Sequence, residues 1–158
     1  MKTIAITGAA SGIGAATKAR LEQEGHRVIG VDLHKADLTA DLSPPDGRRA
    51  AIDGILEACG GTLDGLVPCA GLSGLPDRAG SLLVSLNYFG SIELIEGLHD
   101  ALAKSGAASV VALSSNSTTT APGVPMDLVE VLGTGDEEAA RAAADKAGSI
   151  MGYPASKM

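Results

Sequence analysis

The turn Thr7-Gly8-Ala9-Ala10-Ser11-Gly12-Ile13-Gly14 constrains this chain more than any other stretch. Before it lies Lys2–Thr7, a short β-rich apolar run that reads as a buried strand. After it, Ile13, Ala16, Thr17, Ala19, Arg20 and Leu21 are spaced for one packed face of a helix over Ile13–Gly25, with Gly25 as the stop. Arg27–Asp32 then carries Val28, Ile29, Gly30 and Val31, a second buried strand. Strand, glycine turn, helix and strand make one βαβ unit. Glycine allows close backbone approach, and a helix start offers free N–H groups to a pyrophosphate. Gly8, Ser11, Gly12, Ile13 and Gly14 are therefore candidate dinucleotide-binding residues. A structural loop would explain the turn alone; the strand before it and the helix after it favour binding.

The alternation continues. A short third strand is placed near Ala36–Ala40, with little room for a helix before it. Pro44 and Pro45 open a helix near Asp46–Cys59. Leu63–Cys69 reads as a fourth strand, Ser81–Lys104 as one long helix, and Ala108–Ser114 as a fifth strand. Weaker helical patterns follow at Met126–Leu132 and Asp136–Ala147, with Thr134 and Glu137 at capping-box spacing before the second. The expected fold is α/β, a Rossmann-type doubly wound parallel sheet in a single domain over 1–158.

Composition narrows the function. Of 158 residues 45% are apolar, but Phe89, Tyr88 and Tyr153 are the only aromatics, so the core must be aliphatic. With 12 basic and 19 acidic residues the net charge is -7, which disfavours nucleic-acid partners. Cys59 and Cys69 lack metal-ligand spacing, and no metal site is expected. Reduced buried thiols suit an intracellular protein. The start of the chain is too short in apolar residues for a signal peptide, and no run approaches a membrane span. A cytoplasmic protein without membrane partners is expected.

Two further features carry chemistry. Asp32 ends the second strand at the distance from the glycines where a carboxylate accepts hydrogen bonds from an adenosine ribose. It would repel the extra phosphate of NADP, and Leu33 stands where an NADP enzyme offers Arg, so NAD(H) is the preferred cofactor and NADP(H) the less favoured one. In Tyr153-Pro154-Ala155-Ser156-Lys157 the Tyr and Lys are four apart, on one face of a helix. An ammonium beside a phenol stabilises the phenolate and permits proton exchange with an alcohol or carbonyl oxygen. That pair means little alone. Its weight comes from order along the chain: glycine turn, Asp32, Ser114-Ser115 at a strand end, then Tyr153 and Lys157.

This order resembles the short-chain dehydrogenase/reductase family, whose glycine motif is matched by Thr7, Gly8, Gly12 and Gly14. The resemblance implies a catalytic set of Asn87, Ser115, Tyr153 and Lys157, with Tyr153 and Lys157 also touching the cofactor. It places Asp41-Leu42 near adenine, and Cys69, Ala70 and Gly71 in the turn beside the cofactor. There the family's Asn-Asn-Ala-Gly is replaced by Pro68-Cys69-Ala70-Gly71, so the backbone role survives and the side-chain bonds do not. Cys69-Ala70-Gly71, Asn87-Tyr88-Phe89-Gly90 and Gly12–Thr17 look most like the family's bacterial hydroxysteroid dehydrogenase and carbonyl reductase branch. Asn116–Gly152 is an enlarged segment between Ser and Tyr, implied to shape substrate access or subunit contacts.

The implied activity is hydride transfer between nicotinamide and a secondary alcohol or ketone, with a hydroxysteroid or other hydrophobic carbonyl compound as substrate. A homo-oligomer is implied for the full-length protein. The family continues past the Tyr–Lys motif, so the sequence is read as incomplete at its C-terminus. A 158-residue chain alone is expected to be marginal in stability and catalytically silent, because little helix follows Lys157. A non-catalytic dinucleotide-binding module, or an isomerase or dehydratase on the same fold, are the alternatives.

Overall fold

The computed structural model describes every residue from Met1 to Met158. In chain order the elements are β1 (Thr3–Thr7), α1 (Gly12–Gln23), β2 (Arg27–Asp32), β3 (Leu38–Thr39), α2 (Pro45–Cys59), β4 (Gly65–Pro68) and α3 (Gly80–Val84). A π-helical turn (Ser85–Phe89) and α4 (Gly90–Gly97) follow, then α5 (His99–Ser105), β5 (Ser109–Val110), α6 (Ser117–Thr120), α7 (Met126–Gly133), α8 (Glu137–Ala147) and α9 (Ser149–Ser156). These form two compact units, one of Met1–Ala70 with Gly90–Ala112, the other of Gly71–Phe89 with Leu113–Met158.

The first unit holds a parallel sheet in the order β3-β2-β1-β4-β5. Its central strands are aliphatic on both faces, with Ala5, Ile6, Ile29, Val31 and Leu66 buried, as a sheet covered on two sides requires. Strand β1 pairs with β2 through Ile6 and Gly30 and with β4 through Ile6 and Val67. The fold class expected from the alternation is the one observed, including the absence of a helix between β2 and β3.

Elements differ from expectation where local geometry overrides pattern. The fifth strand is two residues rather than a run to Ser114. Its ladder proceeds from Ser109 N–H on the Asp64 carbonyl to Val111 N–H on the Leu66 carbonyl. The next donor in a parallel ladder would be Pro68, which has no N–H, so pairing ends. Ser114 and Ser115 consequently sit in a loop. The long helix expected over Ser81–Lys104 is interrupted by the π turn and again at Leu98, which leaves the helical region (φ -100°, ψ 1°). Just before that break, a Cβ on Gly97 would lie 2.5 Å from Ile52 Cδ1, so glycine is what lets α4 approach α2. The cap of α8 is Asp136, whose carboxylate accepts the Ala139 N–H, and not the Thr134–Glu137 box; Thr134 Oγ1 instead bonds the Val131 carbonyl.

Two carboxylates tie the first unit together. Asp37 accepts hydrogen bonds from Lys18 Nζ and from the Gly30 N–H, so a side chain extends the β2 ladder where β3 has not yet begun. Burial acts most strongly on Asp37 and pushes its titration up, but the Lys18 and Gly30 bonds with the Lys18 charge outweigh it and hold the carboxyl below its ordinary value. Asp64 is lowered chiefly by the Ser105 hydroxyl, then by the Thr3 N–H. Both groups release their protons more readily folded than unfolded. Their contribution to stability is complete above the ordinary value of 3.8 and is lost as pH falls through the lower folded values. Thermal unfolding followed down past that pH should show a falling midpoint, with a shallower slope in Asp37→Asn and in Asp64→Asn.

The second unit is helical. Val84, Phe89, Leu128, Leu132, Ala140, Ala144 and Ala155 form its core. The stretch between Ser115 and Tyr153, read as a weakly patterned insertion, supplies most of this core through α7 and α8.

Candidate active site

In the first unit the glycine turn joins β1 to the N-terminus of α1. Gly8 (φ 68°) and Gly12 (φ 54°) occupy the left-handed region, where other residues are strained. A Cβ on Gly14 would stand 2.1 Å from the Gly8 carbonyl oxygen, so the turn closes on itself only without one. A Cβ on Gly12 would meet nothing within 4 Å, so this face of the turn is open. Ser11 occupies the N-cap position without a side-chain bond to the helix, and the first turn holds no acidic residue. Its N–H groups are thus not satisfied by a Ser11 cap and suit an anion.

Asp32 closes the turn from the β2 end: its Oδ2 accepts the Ala10 N–H at 2.9 Å and its Oδ1 the Leu33 N–H at 2.7 Å. A carboxylate has further lone pairs for ribose hydroxyls. Leu33 is exposed beside it. On the other side, Thr7 Oγ1 accepts the Ala70 N–H at 3.0 Å, while Cys69 packs against Ile4, Ile6, Ala9 and Val28. The donor set, the open face at Gly12 and the carboxylate fit a dinucleotide.

Asp41 caps a local turn by accepting the Ser43 N–H and hydroxyl, and Leu42 is buried. Holding this segment is Arg48, which sequence reasoning missed. It is fully buried, donates through Nη1 to the Leu42 and Ser43 carbonyls and through Nε to Glu93 Oε2 at 2.7 Å. An Arg in the first turn of a helix normally signals only a solvated face, so the sequence carried no cue to it.

The remaining predicted residues lie in the second unit. Asn87 sits in the π turn, where its Oδ1 accepts the Leu72 N–H at 2.8 Å and its Nδ2 donates to the Leu72 carbonyl at 2.9 Å and to Ser156 Oγ at 3.1 Å. Tyr153 lies on α9, and Lys157 caps that helix at its C-terminal end. The helix for this pair is thus built from residues ahead of Tyr153, contrary to expectation: Ser149 anchors its start by bonding both the N–H and the carbonyl of Leu75. A Cβ on Gly71 would lie 3.0 Å from Asn87 Oδ1 and 3.3 Å from Lys157 Nζ, so both polar ends converge on this glycine. Ser114 Oγ donates to the Lys157 carbonyl at 2.9 Å. The Ser115 hydroxyl is engaged within its own loop, by the N–H and hydroxyl of Ser117, rather than reaching Tyr153.

Residues 2–126 match the family model described as short chain dehydrogenase. The chain belongs to this family. Among its relatives, the 3-alpha-hydroxysteroid dehydrogenase/carbonyl reductase of Comamonas testosteroni is 40% identical over 148 residues, covering 94% of this chain and 57% of the relative. The coniferyl-alcohol dehydrogenase of a Pseudomonas species is 38% identical over 120 residues, covering 72% of this chain and 44% of that one. The crystal structure of the 3-alpha-hydroxysteroid dehydrogenase from Pseudomonas sp. B-0831, complexed with NADH, superimposes with a TM-score of 0.87 at 43% identity, covering 98% of this chain and 66% of that one. The chain therefore spans roughly half to two thirds of these short-chain dehydrogenases. No helix in it is long and apolar enough to cross a membrane.

Proposed function

We propose that this chain carries the cofactor cradle and proton-transfer residues of an NAD-dependent oxidoreductase that moves a hydride between a secondary alcohol and the corresponding ketone. The observation that carries the reading is the convergence of Asn87 Oδ1 and Lys157 Nζ on Gly71, with Tyr153 one helical turn before Lys157. Nicotinamide, when bound, supplies the hydride acceptor or donor. The residues holding the whole dinucleotide would be Gly8–Gly14, Asp32, Asp41-Leu42 and Cys69–Gly71. The Asp32 carboxylate beside exposed Leu33 favours NAD(H) over NADP(H), since no cation at Leu33 would receive the additional 2′-phosphate of NADP.

The proton chemistry belongs to the second unit. Tyr153 passes a proton to or from the substrate oxygen, and the Lys157 ammonium favours its phenolate form. Ser115 hydrogen-bonds that oxygen, exchanging its bond with Ser117 for one to substrate. Asn87 holds a water that links Lys157 to solvent. The hydroxysteroid and carbonyl-reductase relatives support a hydrophobic carbonyl compound as substrate. A cytoplasmic homo-oligomer is the corresponding cellular form.

Tyr153→Phe tests the assignment in the natural full-length protein. Ketone-dependent NADH oxidation should fall by about 10²–10⁴-fold, far more than the change in NADH affinity from losing one hydroxyl contact. Turnover that survives this change would refute the role of Tyr153. NADH bound without turnover of any ketone or secondary alcohol by the unaltered protein would favour a binding module.

A further inference from the structure

The π turn that carries Asn87 is held from outside its own helix. Ser85, its first residue, is fully buried. A helical serine ordinarily bonds a carbonyl one turn back. Here Ser85 Oγ donates to Glu137 Oε1 at 2.6 Å and accepts from Arg141 Nη1 at 2.7 Å. Both partners sit on α8, one turn apart, and both bonds are of the charge-assisted kind. The same face of α8 grips α3 at its other end. Asp145 Oδ1 accepts the Ser81 N–H at 2.7 Å, and a Cβ on Gly80 would stand 2.1 Å from the Ala144 carbonyl oxygen.

A π turn is a rare departure from the α-helical ladder and persists only where its surroundings impose it. Its position here decides where Asn87 points, two residues beyond Ser85. We propose that α8, within the segment separating Ser115 from Tyr153, is the template for the Asn87 turn, and that Glu137 and Arg141 are positioning residues for Asn87. They act through Ser85 and touch neither substrate nor cofactor. This rests on the reading of Asn87 as part of the proton path, but the positioning itself does not.

The test uses Arg141→Ala, Glu137→Gln and the conservative Arg141→Lys, in the natural protein, with amide hydrogen exchange as the first readout. The Leu72 amide, bonded by Asn87 Oδ1, reports on Asn87. Its exchange should quicken by about tenfold in the first two variants, the loss of roughly one hydrogen bond's worth of protection. Arg141→Lys should recover part of it. The amides of Leu128 and Leu132 in α7, in the same core, should keep wild-type rates. An unchanged Leu72 overturns the proposal. So does equal acceleration at Leu72 and α7, which would mean that α8 supplies only packing. Ketone reduction is the second readout: the first two variants should lower kcat with the KM for NADH unchanged. An unaltered protein that turns over nothing refutes the dehydrogenase reading and leaves the exchange result to decide the positioning.

Discussion

Gly14→Ala is expected to remove NADH binding, weakening it by about 100-fold or more, equivalent to about 3 kcal/mol. The added Cβ would sit 2.1 Å from the Gly8 carbonyl oxygen, and both sides of that contact are backbone. Neither can move without displacing the turn, and overpacking of this kind costs about 1–3 kcal/mol in stability besides. Gly12→Ala provides the contrast. Its Cβ enters open space, so the fold loses only the strain of a left-handed alanine, about 1 kcal/mol. If that open face receives the cofactor, Gly12→Ala should weaken binding while lowering the melting temperature by only about 2–4 °C. Calorimetric titration with NADH beside thermal unfolding separates the two effects. Wild-type affinity in Gly14→Ala would show that the turn is structural.

Arg48→Ala is expected to cost about 3 kcal/mol of stability, the lower end for breaking a buried ion pair, because Glu93 keeps some contact with solvent. The change also leaves the Leu42 and Ser43 carbonyls without their guanidinium donor. These carbonyls belong to the segment proposed to face adenine, so NADH affinity should drop along with the unfolding midpoint. Arg48→Lys cannot serve both carbonyls and Glu93 from one ammonium and should recover only part of the loss. Chemical denaturation measures the stability change; a loss under 1 kcal/mol would mean that solvent replaces these bonds freely.

The strands and the glycine turn of the first βαβ unit were readable because their signals are local, but the packed face expected on α1 was not found: Ile13, Ala16, Ala19 and Arg20 are exposed and Gly14 is the buried residue of that helix. The glycines, the apolar runs of β1 and β2 and the terminal Asp32 act within their own stretch of chain. The short fifth strand was also encoded, but in the partner: Pro68 ends a ladder that Val111 could otherwise continue. The π turn has no periodic signature, since Leu86, Phe89 and their neighbours fit an unbroken helix as well. Helix α9 was expected to need chain beyond Lys157; instead its buried start at Ser149 and the packing of Ala155 hold it from the N-terminal side, with Pro154 inside it. Arg48 and the Ser85–Glu137–Arg141 set were invisible for a common reason. Each joins residues far apart in sequence, and charged side chains at helical spacing look like solvent-facing ones until the fold is seen.

The most direct test of the account is a titration of the natural protein with NADH and, separately, with NADPH. The account predicts saturable NADH binding, tighter than NADPH by about tenfold or more, from the proposed placement of the Asp32 carboxylate at the adenosine ribose. Absence of saturable NADH binding, or a preference for NADPH, would contradict it.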